Sequence, residues 1–171
     1  MLRRLLTVSL LAAALLAVPA AAQTITRIDV PAALSSQVDR INARGRGPVL
    51  LPSRLPSEQA QLYPSGGSSR RGYDLELAAA PDCGGANACF VATFTAQRGG
   101  EPLGRTRVRL SNGRRGWFTP TACGASCAPP QIQWRERGHV YAIQARVGTE
   151  STEKREIIRL ANSAIINGPR S

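Results

Sequence analysis

Two closely spaced cysteine pairs follow an apolar leader and constrain this fold more than any other feature. The four cysteines are Cys83 and Cys89, then Cys123 and Cys127, with C-x5-C and C-x3-C spacings. Four cysteines allow three pairings. Glycines inside both loops permit sharp bends, which favours the local pairs Cys83–Cys89 and Cys123–Cys127. Each short bridge stabilises the fold by only about 2 kcal/mol, so the bridges shape loops more than they hold the domain together.

A four-cysteine zinc site and a catalytic redox pair are the alternatives to disulfides. The first spacing is wider than in the usual zinc knuckle, and neither pair is C-x-x-C. An oxidising compartment also favours disulfides over free thiols. The sequence therefore predicts a disulfide-stapled domain and no metal, cofactor or catalytic residue.

The first 22 residues have the pattern of a secretory signal peptide. Two arginines precede an apolar run over residues 5–18, and a proline and three alanines then supply a helix break and a cleavage site. A membrane span needs about 20 apolar residues, so an uncleaved anchor is the weaker alternative. We expect residues 1–22 to be removed, a mature chain from Gln23 without a membrane span, and a periplasmic or secreted location.

The chain is strongly basic, with a formal charge of +11. Removing the leader and its two arginines lowers this charge to +9, and every remaining basic residue except Lys154 is an arginine. Guanidinium groups fit phosphate and carboxylate well, although a GC-rich genome produces the same bias. The charge predicts weak binding to nucleic acid, lipopolysaccharide or anionic lipid at low salt.

The chain divides into a short N-terminal segment and one domain. Residues 23–47 predict a segment with a short amphipathic helix, because Ala32, Leu34, Val38 and Ile41 have helical spacing. Residues 48–171 predict a single α+β domain that contains both disulfides. Within it, Pro64–Ser69 is rich in glycine and serine and predicts a flexible loop.

The rest of the domain is mostly β in character. Strands are predicted near residues 73–77, 90–95, 105–110, 116–119, 132–134 and 141–147. Asn112-Gly113 and Arg137-Gly138 predict tight turns. Residues 153–165 carry an apolar helical stripe. Together these patterns predict an antiparallel sheet of about six strands, with a C-terminal helix packed on one face and a short N-terminal helix.

An arginine stripe is the one surface feature above background. Arg105, Arg107 and Arg109 alternate along one predicted strand, and Arg114 and Arg115 follow its turn. The pattern favours a solvated or edge strand whose charges discourage sheet-to-sheet aggregation. The alternative is a cationic ridge that contacts an anionic polymer or an acidic partner. No aromatic residues are interleaved along this strand, so no specific nucleic-acid partner is predicted.

Trp117 and Phe118 are adjacent on a predicted strand. Successive strand residues face opposite sides, so only one of the two rings can enter the core. The other is available as an exposed anchor for a partner. The sequence leaves open which ring has which role.

The sequence contains no recognisable catalytic set. The single histidine, His139, is predicted to be an exposed turn residue, because nothing near it in sequence offers a nucleophile or a second ligand. The serine-hydrolase and nucleotide-binding motifs are missing. Asp74 and Glu76 share a strand face, a pattern typical of solvated acids. An acid pair assembled in space is the alternative.

The back half of the chain resembles a known type of exported domain. Ile132–Ile143 has the pattern I-x-W-x-x-x-G-x-x-Y-x-I, and Glu156–Ser163 follows as E-I-I-x-L-A-x-S. Leu51-Pro52 with Leu55-Pro56 completes the pattern. It is similar to extracytoplasmic bacterial domains of unknown function, some of which form the outer part of anti-sigma-factor-like membrane proteins. The resemblance implies an exported α+β domain without a known activity or site residues. We expect no membrane anchor after the signal, so it implies no sigma-factor role.

These features predict an exported, non-enzymatic binding or interaction protein of the bacterial envelope. Its partner is expected to be an unknown envelope protein or an anionic polymer. A secreted inhibitor that presents a rigid disulfide loop to an enzyme's cleft is one alternative, since a rigid loop loses less entropy on binding. A small envelope hydrolase with an acid pair is the other.

Overall fold

A computed structural model describes residues 25–45 and 47–170. The predicted signal peptide lies outside the described residues. In chain order the elements are β1 (Thr26–Asp29), α1 (Val30–Ala33), α2 (Ser35–Ala43), β2 (Val49–Leu50), β3 (Arg54–Ser57), β4 (Tyr63–Ser69), β5 (Gly72–Ala78), β6 (Phe90–Arg98), β7 (Thr106–Arg109), β8 (Arg115–Thr119), β9 (Ala122–Cys123), β10 (Cys127–Ala128), β11 (Gln131–Glu136), β12 (His139–Ala145), α3 (Glu153–Asn167) and β13 (Pro169–Arg170).

A seven-stranded antiparallel sheet with one covered face forms the centre of the fold. Its strand order is β4-β5-β6-β12-β11-β8-β7. Helices α2 and α3 and the two short ladders β1–β3 and β2–β13 form the second layer. The predicted α+β architecture with a C-terminal helix on one face is therefore present. The sheet has seven strands rather than about six, and two consecutive short helices take the place of the single N-terminal helix.

The connection between β6 and β7 crosses the open face of the sheet. Strands β4 to β6 form a meander, and β7, β8, β11 and β12 form a second one that returns to β6. Between them the Leu103 N–H donates to Gln133 Oε1 at 2.8 Å. A Cβ added at Gly104 would lie 2.7 Å from the Trp117 Cβ. We call residues 99–105 the crossover, and these contacts place it on the sheet surface.

The core lies between the covered face of the sheet and the second layer. Trp134 and Tyr141 are directly opposite on β11 and β12, and their ring centroids are 5.5 Å apart. The Tyr141 hydroxyl donates to the Pro48 carbonyl at 3.1 Å, and the Tyr73 hydroxyl accepts from the Leu50 N–H at 3.1 Å. Burial raises the pKa of both phenols. Their hydrogen bonds tie the sheet to the segment around β2.

Residues 64–69 form strand β4, so the predicted flexible loop is wrong. The strand pairs with β5 from Tyr63 opposite Ala78 to Ser69 opposite Gly72. Gly66 has φ of 120°, and a Cβ there would lie 2.2 Å from the Asp74 carbonyl oxygen. Serine and glycine have low β propensity, so local composition predicts a loop. The hydrogen bonds offered by β5 outweigh that preference.

Helix α3 anchors the chain on both sides of β8. Its first turn contains the buried Glu153, whose carboxylate accepts from the Thr121 N–H at 3.1 Å. Further along, Asn162 Oδ1 accepts from the Ser111 N–H at 2.7 Å in the turn between β7 and β8. Gly168 follows the helix with φ of 67°, a conformation that favours glycine. None of the described helices combines the length and hydropathy needed to cross a bilayer.

Both disulfides join near neighbours and lie at one end of the sheet. Cys83 pairs with Cys89, and Cys123 pairs with Cys127, with Cα–Cα distances of 5.7 and 4.0 Å. All four thiols are in disulfides, so none is left to ligate zinc. The loops touch each other, because Asn87 Nδ2 donates to Ser126 Oγ at 2.8 Å. We call residues 83–89 and 123–127 the stapled end.

Candidate anion-binding surface

The arginine stripe lies on the outermost strand of the sheet. Strand β7 pairs with β8 from Thr106 opposite Phe118 to Arg109 opposite Arg115. The exposed side chains of Arg105, Arg107 and Arg109 alternate with Val108 and the buried Leu110. Arg107 and Arg109 therefore share the open face, at its far edge, while Arg105 precedes the strand and its N–H donates to the Phe118 carbonyl at 3.0 Å.

The structure separates Arg114 from Arg115, which the sequence had grouped. Arg115 is exposed on the open face, directly opposite Arg109. The Arg114 guanidinium contacts the Glu136 carboxylate at 2.5 Å, and its side chain is only 27% exposed. Neighbours on a strand face opposite sides, so the two cannot act together. We call Arg105, Arg107, Arg109 and Arg115 the arginine edge.

Positive charge on the arginine edge is not neutralised within the described chain. None of its four guanidinium groups forms a salt bridge with a described carboxylate. Like charges directly opposite on neighbouring strands destabilise a sheet, and Arg109 and Arg115 have that arrangement. Two acids of the open face, Asp74 and Glu76, are on β5, five strand spacings from β7. That distance is about 24 Å, well beyond the screening length of about 8 Å. Glu101 in the crossover is closer, but it pairs with Arg135 instead.

Arg135 on β11 extends the cationic row but has a partner. Its guanidinium lies 3.1 Å from the Glu101 carboxylate and donates to the Gly100 carbonyl oxygen at 2.7 Å. Both partners are in the crossover. Arg135 therefore holds the crossover against the sheet, beside the arginine edge.

An aromatic ring does lie beside the arginines. Trp117 is the direct cross-strand neighbour of Arg107 and is half-buried on the open face, while Phe118 enters the core. Leu103 in the crossover is 73% exposed. An indole and an exposed leucine next to a cationic row add apolar contact area for a partner. Their placement depends on strand register, so the sequence of one strand cannot reveal it.

Further arginines collect at the end of the sheet opposite the stapled end. Arg70 and Arg71 are in the β4–β5 turn, Arg98 ends β6, and Arg137 is in the β11–β12 turn. All four are exposed, and the Arg98 N–H donates to the Arg71 carbonyl at 2.6 Å. The antiparallel topology places these distant residues at the same end of the sheet as Arg109 and Arg115. Sequence reasoning missed the cluster because no single segment contains it.

His139 is half-buried rather than an exposed turn residue, so that prediction is wrong. It begins β12, and its Nδ1 lies 3.1 Å from the Arg137 carbonyl oxygen. Gly47 packs against the ring, since a Cβ there would be 2.9 Å from Nε2. The segment before β2 covers the ring, a tertiary contact that the local sequence does not encode.

Asp74 and Glu76 lie on the open face of β5. Asp74 is exposed as a residue, but neighbouring atoms partly shield its carboxyl from water and raise its pKa. Glu76 Oε1 is buried without a hydrogen-bond partner among the described atoms. A shallow groove of about 290 Å³ lies elsewhere, beside α1, α2 and β13. Across residues 25–45 and 47–170, no three acidic, histidine or cysteine residues cluster as metal ligands.

Comparison of the chain with protein-family models, curated proteins and solved structures gives no match. The resemblance to exported anti-sigma-factor-like domains therefore stays a prediction.

Proposed function

We propose that this protein is an exported, non-enzymatic binding protein of the bacterial envelope, periplasmic or secreted, that holds an anionic partner on the arginine edge. The observation that carries this proposal is the direct opposition of Arg109 and Arg115 without a carboxylate partner. An anion between them relieves their repulsion and accepts charge-assisted hydrogen bonds from both.

Two features support export. The leader has the charge pattern, apolar run and small-residue exit of a signal peptide. Two disulfides in one small domain are typical of proteins that mature in an oxidising compartment.

The arginine edge also has the rigidity that a binding surface needs. Strand β7 is paired along its length with β8, and the turn between them is anchored by the hydrogen bond from Ser111 to Asn162. A surface that is ordered before binding loses less conformational entropy when the partner arrives.

The test compares two variants with the same loss of charge. One replaces Arg105, Arg107, Arg109 and Arg115 with glutamine, and the control replaces four other exposed arginines, Arg27, Arg40, Arg44 and Arg54. Binding to a heparin fragment is measured over a salt series. An exposed ion pair contributes about 0.5 kcal/mol, so we expect roughly thirtyfold weaker binding for the first variant and a small change for the control. Equal losses in both variants contradict the proposal, as does an unchanged affinity.

The stapled end supports a second candidate, a secreted inhibitor of a hydrolase. The two disulfide loops are exposed and joined by the Asn87–Ser126 hydrogen bond, so they present one rigid surface. The test is inhibition of a panel of envelope and secreted hydrolases by the protein and by a variant with Cys123 and Cys127 replaced by serine. Inhibition that requires the bridge supports this candidate, and no inhibition by the native protein rejects it.

A further inference from the structure

We infer that the free side of β7 binds an extended acidic segment of a partner protein, which adds to the seven-stranded sheet as one more strand. This inference rests on the proposed function and adds the chemical class of the partner. Three observations lead to it: the direction of the β7 backbone groups, the alternation of its side chains, and the charge of the edge.

The backbone of β7 offers unpaired groups on its outer side. The Leu110 N–H donates to the Arg114 carbonyl at 2.8 Å, which shows that the backbone of Leu110 faces β8. In an antiparallel ladder alternate residues face the same neighbour, so Val108 and Thr106 face β8 as well. The N–H and C=O groups of Arg107 and Arg109 therefore point away from the sheet. No other described strand pairs with β7.

The side chains of β7 specify what an added strand should carry. Arg107 and Arg109 are on the open face, and Val108, half-buried, is on the covered face. Directly opposed side chains on neighbouring strands lie about 5 Å apart, and opposite charges there stabilise the pair. A segment that alternates acidic and apolar residues matches both faces at once.

The same charges exclude a second copy of this chain as the occupant. Two β7 strands paired edge to edge would place one arginine row beside another, which is unfavourable. An anionic polysaccharide or lipid headgroup satisfies the guanidinium groups but has no regularly spaced backbone donors and acceptors to pair with Arg107 and Arg109. A protein segment satisfies both, as in other cases where a peptide extends a sheet edge.

The direct test uses capped peptides of about eight residues that alternate valine and glutamate, a length sufficient to cover the edge. We expect the amide hydrogens of Arg107 and Arg109 to exchange at least about tenfold more slowly with the peptide bound, because a strand hydrogen bond must open before exchange. A heparin fragment should leave both rates unchanged. Unchanged exchange with the peptide bound overturns the inference.

N-methylated peptides separate backbone pairing from charge. One version is methylated on the backbone nitrogen of every glutamate, and the other on the backbone nitrogen of every valine. Both versions keep the charge of the unmethylated peptide. Methylation on the side that faces β7 should weaken binding at least about tenfold, since it removes several backbone hydrogen bonds. The methylated peptide that loses affinity also identifies the orientation of the added strand. Glutamate amides face β7 if the peptide is antiparallel to it, and valine amides face β7 if the peptide is parallel. Equal affinity of all three peptides contradicts strand addition.

A pair of variants gives an independent check. Arg107→Gln and Arg107→Pro remove the same charge, but only proline also removes the outward N–H, at a position where an edge strand tolerates it. We expect Arg107→Pro to bind the peptide about tenfold more weakly than Arg107→Gln, and both variants to bind heparin equally. Near-UV circular dichroism of each variant shows that it has folded. Equal peptide binding by the two variants overturns strand addition.

The two proposals fail in different ways. Replacing the four arginines of the arginine edge with glutamine could weaken binding of both heparin and the peptide while backbone methylation has no effect. That result would support the anion site and show that strand addition is wrong. If the glutamine variant binds heparin and peptide as tightly as the native protein, the proposed function is wrong and the inference fails with it.

Discussion

The two outer strands of the sheet, β4 and β7, solve the same physical problem in different ways. An edge strand exposes backbone donors and acceptors that invite pairing with another chain. Strand β4 contains no charged residue; instead it contains Pro64 and the left-handed Gly66, and α2 packs against it. Strand β7 has no proline and no covering helix, but an arginine at every second position.

Because of this difference, β4 is closed to strand pairing, whereas β7 remains open to strands of suitable charge. On β4, Gln37 Nε2 donates to the Pro64 carbonyl at 3.2 Å and occupies an edge acceptor. On β7 the backbone groups of Arg107 and Arg109 remain free, and only the charge limits which strand approaches. A covered edge excludes every partner, whereas a charged edge excludes like charge and admits opposite charge.

The largest expected effect concerns the closed edge. Gly66→Ala should destabilise the protein by about 3 kcal/mol or more, because its backbone is in the left-handed region and the new methyl group clashes with the Asp74 carbonyl. The matched control is Gly67→Ala, where an added Cβ meets nothing within 4 Å. Urea denaturation of both variants measures the difference. Equal stabilities would contradict the pairing of β4 with β5.

The next effect concerns the anchor of the charged edge. Asn162→Ala leaves the Ser111 N–H without its acceptor, and we expect a loss of about 1 kcal/mol of unfolding free energy. Asn162→Asp keeps the acceptor oxygen and should recover most of that loss. Heparin affinity should fall slightly in the alanine variant, since the turn that positions Arg109 and Arg115 loosens. Thermal unfolding and heparin binding of the two variants test this anchor together.

Removing charge from β7 should create self-association that β4 does not show. Arg107→Thr with Arg109→Thr leaves a free, uncharged edge with good β propensity, and we expect concentration-dependent dimers in sedimentation velocity. The control makes the matching change on β4, Ser65→Thr with Ser69→Thr, and should remain monomeric because that edge is covered. A monomeric β7 variant would mean that the arginines are not needed to prevent pairing.

The smallest expected effect concerns Asp74, on the acidic side of the open face. Asp74 has a raised pKa in the folded state, so the unfolded state loses its proton first as the pH rises. Below the ordinary pKa of 3.8 both states are protonated and the residue makes no difference to stability. Above it, ionisation favours unfolding, so Asp74→Asn should be slightly more stable near pH 7. Urea denaturation at acidic and neutral pH checks the sign, and a less stable variant at pH 7 would reverse it.

Local signals predicted much of the fold. The disulfide pairs, the alternating strands from Gly72 onward and the C-terminal helix each depend on residues close together in sequence. The short strands β1, β3 and β13 went unpredicted because they pair with distant segments. Strand β4 pairs with its sequence neighbour β5, but its glycines and serines have little strand propensity of their own. The arginine cluster at the end of the sheet opposite the stapled end also went unpredicted, because its members come from separate turns and strand ends.

The sequence by itself determined that arginines alternate along β7 and that the chain turns at Asn112-Gly113. Only the tertiary structure decided what lies opposite those arginines. A two-residue loop would pair Arg107 with Phe118, whereas the observed loop over 111–113 pairs it with Trp117. A shift of one residue exchanges the two faces of a strand. Burial of Phe118 in a core made by distant segments stabilises the observed register, and no local pattern contains that information.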